Sequence, residues 1–371
     1  MLEAPTQPDL ATPQNFSLGE ARGIVKDCFR PNPWIYWTDF LISYFVGLRC
    51  FWFVPRMENY VQNETTRQVL QVVCFVVAAL LFYRIGTFTH ELVHLRGKAF
   101  VPFRFVWNLL CGIPFLIPSY MYYTHTRHHI RKFYGTMEDG EYLSLGQGPR
   151  WKILLYLGES FLVPIVAVVR FLILAPLSWI CPPLRRQLHM RASSLVIDPQ
   201  YVRPLPTNKE ARIWQLQETA TCAYTWTAGV MWYTGSIPAD FVLRAYVIAV
   251  VIMLINSIRT LGAHRFRHSR QEMSFIEQLL DSINYPRSLW TAELWAPLGM
   301  RYHALHHLFP SLPYHNLGIA HQRLMAQLPS DSIYRQTEVP TLPTALAQLW
   351  HDAKSGKYPL HQEYHTARSP T

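Results

Sequence analysis

The sequence predicts an all-α integral-membrane protein: four transmembrane helices arranged as two hairpins, further interfacial or re-entrant helices, and a cytosolic helical cap that carries a site for two metal ions. Three observations predict it. Of the 371 residues, 50% are hydrophobic and only 16% are charged, against about 25% charged in an ordinary soluble domain. Six apolar runs are long enough to enter or cross a bilayer, a full crossing taking about 20 residues. Finally, histidines recur in tight groups within the more polar segments between and after those runs.

The aromatic content, 12 Trp, 20 Tyr and 20 Phe, suits side chains placed at a headgroup boundary. The formal charge of +10 on so apolar a chain reads as basic loops facing anionic headgroups on the cytoplasmic side. No nucleic-acid-binding module is present, and nucleic acid is excluded as a partner. The six cysteines are scattered without CxxC spacing, which argues against a disulfide framework or a zinc ribbon and for buried free thiols. Residues 1–33 mix acids, bases and prolines and hold no apolar core of a signal peptide. They are assigned as an N-terminal cytosolic segment, residues 34–330 as the membrane domain with its cap, and 331–371 as a C-terminal tail.

The apolar runs are Trp34 to Pro55, Thr66 to Tyr83, Phe105 to Tyr123, Ile153 to Ile180, Thr219 to Ala239 and Phe241 to Ile258. Asp39 and Arg49 interrupt the first, Pro114 and Pro118 the third, and Glu159, Pro164, Arg170 and Pro176 the fourth; such interruptions mark kinked, interfacial or re-entrant segments. Basic residues cluster at Arg84 to Arg104, Arg127 to Lys132, Arg185 to Arg191 and Arg259 to Arg270. Holding all of these on the cytoplasmic side makes the first two runs one hairpin and the last two another. The runs at 105–123 and 153–180 then enter and leave on one face. Between Arg259 and Leu328, prolines at 286, 297, 310 and 313 separate short helical stretches, which form the cap.

The chemistry lies in the histidine spacing. HELVH places His90 and His94 at i and i+4; HTRHH places His125, His128 and His129 at i, i+3 and i+4; HALHH repeats that pattern at His303, His306 and His307. On a helix these offsets share a face. One such group also occurs on ordinary solvated helices, but three in one chain, two of identical spacing, point to metal. Imidazole suits iron, zinc and copper, and eight nitrogens exceed one tetrahedral or octahedral shell, so two ions are expected. LGAHRFRH adds His264 and His268; His264, nearer the membrane end, is preferred as a ninth ligand. Asn256, eight residues before His264 and about two helical turns away on the same face, is a candidate holder of a metal-bound water. Glu91, Glu138, Asp139 and Glu293 are candidates to orient imidazole N–H groups, and His315 and His321 candidates for an outer or structural role. His189, His351, His361 and His365 read as solvent-facing.

The order HxxxH, HxxHH about thirty residues later, and a distant HxxHH resembles the membrane fatty acid desaturase family, from about Thr87 to about His321, with LWAPLGMRYHALHHLFPSLPYHNLGIAH particularly similar to bacterial acyl-lipid desaturases. The resemblance implies a di-iron centre, two iron ions with O2 as co-substrate, ligated by His90, His94, His125, His128, His129, His303, His306 and His307 with His264 as the extra ligand. It also implies an acyl chain bound in a kinked tunnel ending near the irons. The Asn256-to-His264 spacing is longer than the family's. The implied activity is desaturation of a fatty acyl substrate (free acid, thioester or lipid-linked), in the bacterial inner membrane if the cell is bacterial, with the histidines on the cytoplasmic side. No flavin, haem or iron–sulfur motif is present, so electrons come from an external donor of the ferredoxin, rubredoxin or cytochrome b5 type.

Rival readings use the same residues differently. Hydroxylation, ketolation or oxidative decarboxylation to a terminal alkene would run on the same di-iron site. HELVH also matches the HExxH zinc-protease motif, with Glu91 as general base, but that leaves both HxxHH groups unexplained. A bis-histidine haem carrier is disfavoured because adjacent histidines serve one haem face.

Overall fold

In a computed structural model the chain is described over residues 16–95, 97–268, 270–287 and 289–355. The fold is helical, with no strand among the described residues beyond isolated bridges. Four helices are long and apolar enough to cross a membrane: Pro33–Asn59, Glu64–His94, Trp151–Ile180 and Ala239–Leu261. After a short α1 (Leu18–Ile24), α2 (Pro33–Phe53) starts with Pro33 in its first turn and Asn32 accepting from the Trp34 N–H at 3.0 Å. Both are standard start signals. It packs antiparallel to α3 (Glu64–His94), which Asn63 caps through the Thr66 N–H at 2.9 Å. Gly47 allows the approach, since a Cβ there would meet the Phe82 ring at 3.0 Å. The acid that interrupts the first run is neutralised by its neighbour: both Asp39 oxygens accept from Arg84, at 2.7 and 2.6 Å, and Oδ2 also from the Tyr314 hydroxyl at 2.8 Å.

At 31 residues, α3 is about 46 Å long, well beyond a hydrocarbon core of about 30 Å. It is long enough for its last turns to extend past the apolar layer. The run at 105–123 doubles back: α4 (Val101–Trp107) passes into a π turn over Asn108–Gly112. The Asn108 amide then accepts from the Ser119 N–H at 2.8 Å and donates to its hydroxyl at 2.9 Å. A stapled bend of this kind turns the chain back, so the run holding Pro114 and Pro118 is not one straight helix. It delivers α5 (His125–His128).

The third helix of crossing length lies on the run that the sequence marks as interrupted. α6 (Trp151–Val169), a π turn over Arg170–Leu174 and α7 (Ala175–Ile180) form one apolar rod. The run expected to span at 219–239 falls largely in α9 (Asn208–Tyr233), which carries Glu218 and four threonines between 219 and 227 and is not among the four. Accordingly α10 (Ala239–Leu261) follows α9 through a tight turn but packs on α6, where Ser160 and Ser257 hydroxyls lie 3.2 Å apart and Tyr246 donates to the Phe161 carbonyl at 3.0 Å. α8 (Pro182–Arg191) returns the chain so that Leu195 N–H bonds Met121 and Ile197 N–H bonds Gly140.

The cap comprises α11 (Phe275–Asp281), α12 (Leu289–Trp295), α13 (His303–Leu308) and α14 (Tyr314–Gln327), with α15 (Leu342–Ser355) behind it. Fully buried Asn284 pins it: its N–H donates to the Thr337 carbonyl, its amide donates to the Thr337 hydroxyl and accepts from Leu305 N–H. Neither terminal segment is separate where described. Asn316 donates to the Cys28 carbonyl and Arg323 pairs with Asp27, docking 16–33 on α14. Val339, Ala345 and Leu349 are buried, so the segment from 331 to 355, set apart by sequence as a tail, belongs to the cap. His361 and His365 lie outside the described residues.

Candidate metal centre

Four segments converge at one end of the bundle. The end of α3 supplies His90 and His94, α5 and its C-cap supply His125, His128 and His129, α13 supplies His303, His306 and His307, and the loop after α10 supplies His264. They sort into two groups, His90, His94, His125, His129 and His306, and His128, His264, His303 and His307. Within each group one nitrogen per residue lies within 4.8 Å of all the others. All nine sequence candidates are thus brought together, but the HxxHH segments do not each serve one point. In both, the i and i+4 residues share a group, and the i+3 residue crosses to the other.

The donor set fits metal. His125 and His129 Nε2 lie 2.8 Å apart, His129 and His306 3.1 Å, His264 and His303 2.9 Å, and His303 and His307 3.1 Å. Nitrogens about 2.1 Å from a shared ion sit roughly 3 Å apart at right angles. Both His90 ring nitrogens are buried without a hydrogen-bond partner, an arrangement that is costly unless something else satisfies them. Burial, then mutual repulsion among imidazoles, pushes His125, His129, His303, His306 and His307 well below the ordinary histidine range. They are therefore neutral, the form that binds metal.

Carboxylates stand behind the rings. His128 Nδ1 contacts Asp139 at 2.8 Å, and Asp139 also accepts from the Gly135 and Glu141 N–H groups. Burial opposes charge on His128, but the carboxylates of Asp139, Glu141 and Asp281 together raise the imidazole above its ordinary value. Gly135 is required at this turn, with φ +70° and a Met273 methyl where a Cβ would sit. His125 Nδ1 lies 2.9 Å from both oxygens of Glu141, whose carboxyl burial pushes up to about 7. The Tyr134 hydroxyl lies 2.8 Å from His264 Nδ1 and donates to Asp281 at 2.9 Å. Of the sequence candidates, Asp139 is therefore in place. Glu91 lies 3.7 Å from His90 Nδ1 and accepts from the Tyr36 hydroxyl at 2.8 Å.

Other candidates are placed elsewhere. Glu138 pairs with Arg127 and Glu293 with Arg84. Asn256 accepts from Arg259 at 2.9 Å, and it does not share a helical face with His264 because α10 stops at Leu261. His268, in the same irregular stretch, is outside both groups. His315 accepts from the Asn32 N–H, and His321 is held between Tyr334 and Glu338. His351 is exposed, but His189 is half-buried against Trp214 rather than solvent-facing. Glu141, Asp281 and Tyr134 were missed. The sequence MEDGEY does hold Glu141 two residues past Asp139, and that was the available signal. A cavity of about 130 Å3 opens on the centre, lined by His128, His129 and His307 with Arg131, Phe275 and Gln278.

Two paired histidine groups at the end of an apolar helical bundle define a class, the histidine-box membrane oxidoreductases of the di-iron type. The chain belongs to the fatty acid desaturase family, whose model matches residues 68–338. It is 36% identical over 348 residues, 92% of this chain and 97% of the relative, to a protein described as a ceramide hydroxylase from Caulobacter vibrioides. No solved structure matches.

Proposed function

We propose that this protein is an oxygen-dependent lipid hydroxylase that inserts one oxygen atom into an unactivated C–H bond of a long-chain sphingolipid of the ceramide type. The observation that carries this reading is the end-to-end similarity to a ceramide hydroxylase, which spans cap and membrane helices alike. Overall, R–H, O2, two electrons and two protons give R–OH and water.

His90, His94, His125, His129 and His306 would hold one iron, and His128, His264, His303 and His307 the other. Bound iron would supply the oxygen reduction and C–H cleavage that side-chain acid–base chemistry cannot. The chain's own part is orientation. Glu141 fixes His125, Asp139 fixes His128, and the Tyr134–Asp281 pair fixes His264, each through Nδ1, so that Nε2 faces the ion. Electrons would come from a separate acidic carrier docking over the cavity beside Arg131, with Arg127 and Lys132 close in sequence. We place this face on the cytoplasmic side, as the positive-inside rule requires of those residues.

Desaturation of an acyl chain is the second reading, supported by the family model. It uses the same O2 and electrons, removes two hydrogens and releases two waters. Expression with a suitable donor, followed by mass spectrometry of total lipids, separates the two. Lipids gaining one oxygen support hydroxylation, and lipids losing two hydrogens support desaturation. Neither change, with two irons bound per chain, would sink the lipid assignment.

A further inference from the structure

Away from the metal centre, a cluster of buried charge joins α6, α8 and α9. Arg170 is 3% exposed and Glu218 1%. Arg170 donates to Glu218 at 2.6 Å, to the Tyr120 hydroxyl at 3.0 Å and to the Ser193 hydroxyl at 3.2 Å. Arg185 donates to the same Glu218. Arg203, 5% exposed, ends on the Ser193 carbonyl and lies 3.7 Å over the Trp214 ring. Two guanidinium groups therefore share one carboxylate, and a third, that of Arg203, stands beside them. Arg203 has no carboxylate within ion-pair distance among the described residues. Glu210, the next acid to influence it, is engaged in capping α9 through Thr207.

The same place holds donors without a partner: Arg170 Nη1 and Trp214 Nε1, both on side chains at most 3% exposed, with His189 Nε2 beside Trp214. Buried N–H groups left in this state are costly unless an acceptor reaches them. Surplus positive charge, unsatisfied donors and a position between helices of a membrane protein together call for an oxyanion. The α8 segment PPLRRQLHMR adds basic residues beside it.

We propose that Arg203, Arg170, Trp214 and His189 form a binding site for a phosphate-type oxyanion, supplied by an anionic lipid headgroup or by free phosphate. Occupancy would stiffen the approach to the metal centre. The Tyr120 hydroxyl is a partner of Arg170, its N–H donates to Gln217 at 3.1 Å, and its ring stacks on Trp214. Tyr120 lies five residues before His125.

The test uses the full-length protein, metal-loaded, in neutral detergent, titrated separately with phosphatidylglycerol, inorganic phosphate and uncharged diacylglycerol. Native mass spectrometry and thermal melting are the readouts. Phosphatidylglycerol is expected to form a one-to-one adduct and raise Tm by about 3–5 °C, with diacylglycerol doing neither. A shift with phosphatidylglycerol alone identifies a headgroup, and an equal shift with inorganic phosphate identifies a free anion; both support the site. Arg203→Gln is expected to weaken the adduct at least tenfold. Trp214→Phe, which keeps an aromatic ring under Arg203 and removes the N–H, is expected to weaken it severalfold and serves if Arg203→Gln does not fold. No anion-dependent adduct, a shift with diacylglycerol, or binding unchanged in both variants would overturn the proposal.

Discussion

The two histidine groups differ in how they are built. The first takes His90 and His94 from the end of a 31-residue helix anchored in the apolar bundle, and Glu141 stands in hydrogen-bond contact behind its His125. The second takes all four members from outside the crossing-length helices. His264 lies in an irregular loop, His303 and His307 lie on a six-residue helix pinned by Asn284, and Asp139 and Asp281 stand behind the group. The first group is thus tied in part to a rigid rod, with His125, His129 and His306 from α5, its cap and α13, whereas the second depends on the network throughout. A network of buried polar groups holds geometry well while every member is satisfied, and fails together when one is lost.

Removing a histidine breaks either group most severely. His128→Ala should lower iron from two toward one per chain and cut lipid oxidation by 100-fold or more, about 3 kcal/mol or more, while the protein still inserts. His90→Ala should do the same to the other iron. Iron retained at two per chain, with activity intact, would break the ligand assignment. Asn284→Ala distinguishes the groups. It leaves buried partners on Thr337 and Leu305 unsatisfied at about 1–3 kcal/mol each, so iron should leave the second group first. Equal loss of both irons, followed by Mössbauer spectroscopy, would show that the network is not specific to the second group.

The carboxylates give the next effect. Asp139→Asn and Glu141→Gln should each weaken iron binding by about 10–100-fold. The Asp139 change should be the larger, because that side chain also holds the Gly135 and Glu141 N–H groups. Iron retention against a chelator measures both, and a larger loss for Glu141→Gln would reverse the comparison.

How much of this was legible follows from the same contrast. The histidines were readable because helical offsets at i, i+3 and i+4 carry geometry directly in the sequence. Their division into two groups was not, since the i+3 residue's crossing depends on how α5 and α13 face each other. Asp281 lies 17 residues past His264 and is brought back by a bridge between His264 and Ser282, a contact with no local signature. The shared helical face of Asn256 and His264 does not hold, because the register ends with α10 at Leu261. The helical membrane fold was readable from hydropathy. The continuity of the Trp151–Ile180 rod was not, because Arg170 reads as an interruption until Glu218 is seen beside it.

The mildest test of the networked group is Tyr134→Phe. The hydroxyl sits between His264 Nδ1 and Asp281, at 2.8 and 2.9 Å, but Asp281 itself lies 3.3 Å from the same nitrogen and also accepts from Tyr142. The ring that remains still packs 5.0 Å from His128. With the phenol oxygen gone, the carboxylate can take over the imidazole N–H after a small shift, so the loss is one neutral hydrogen bond, about 1 kcal/mol, or roughly fivefold in chelator-driven iron release. Asp281→Asn removes the charge that both tyrosines address and should cost more. If Tyr134→Phe instead releases iron as completely as His264→Ala, the tyrosine rather than the carboxylate orients His264, and the second group depends on a single hydroxyl.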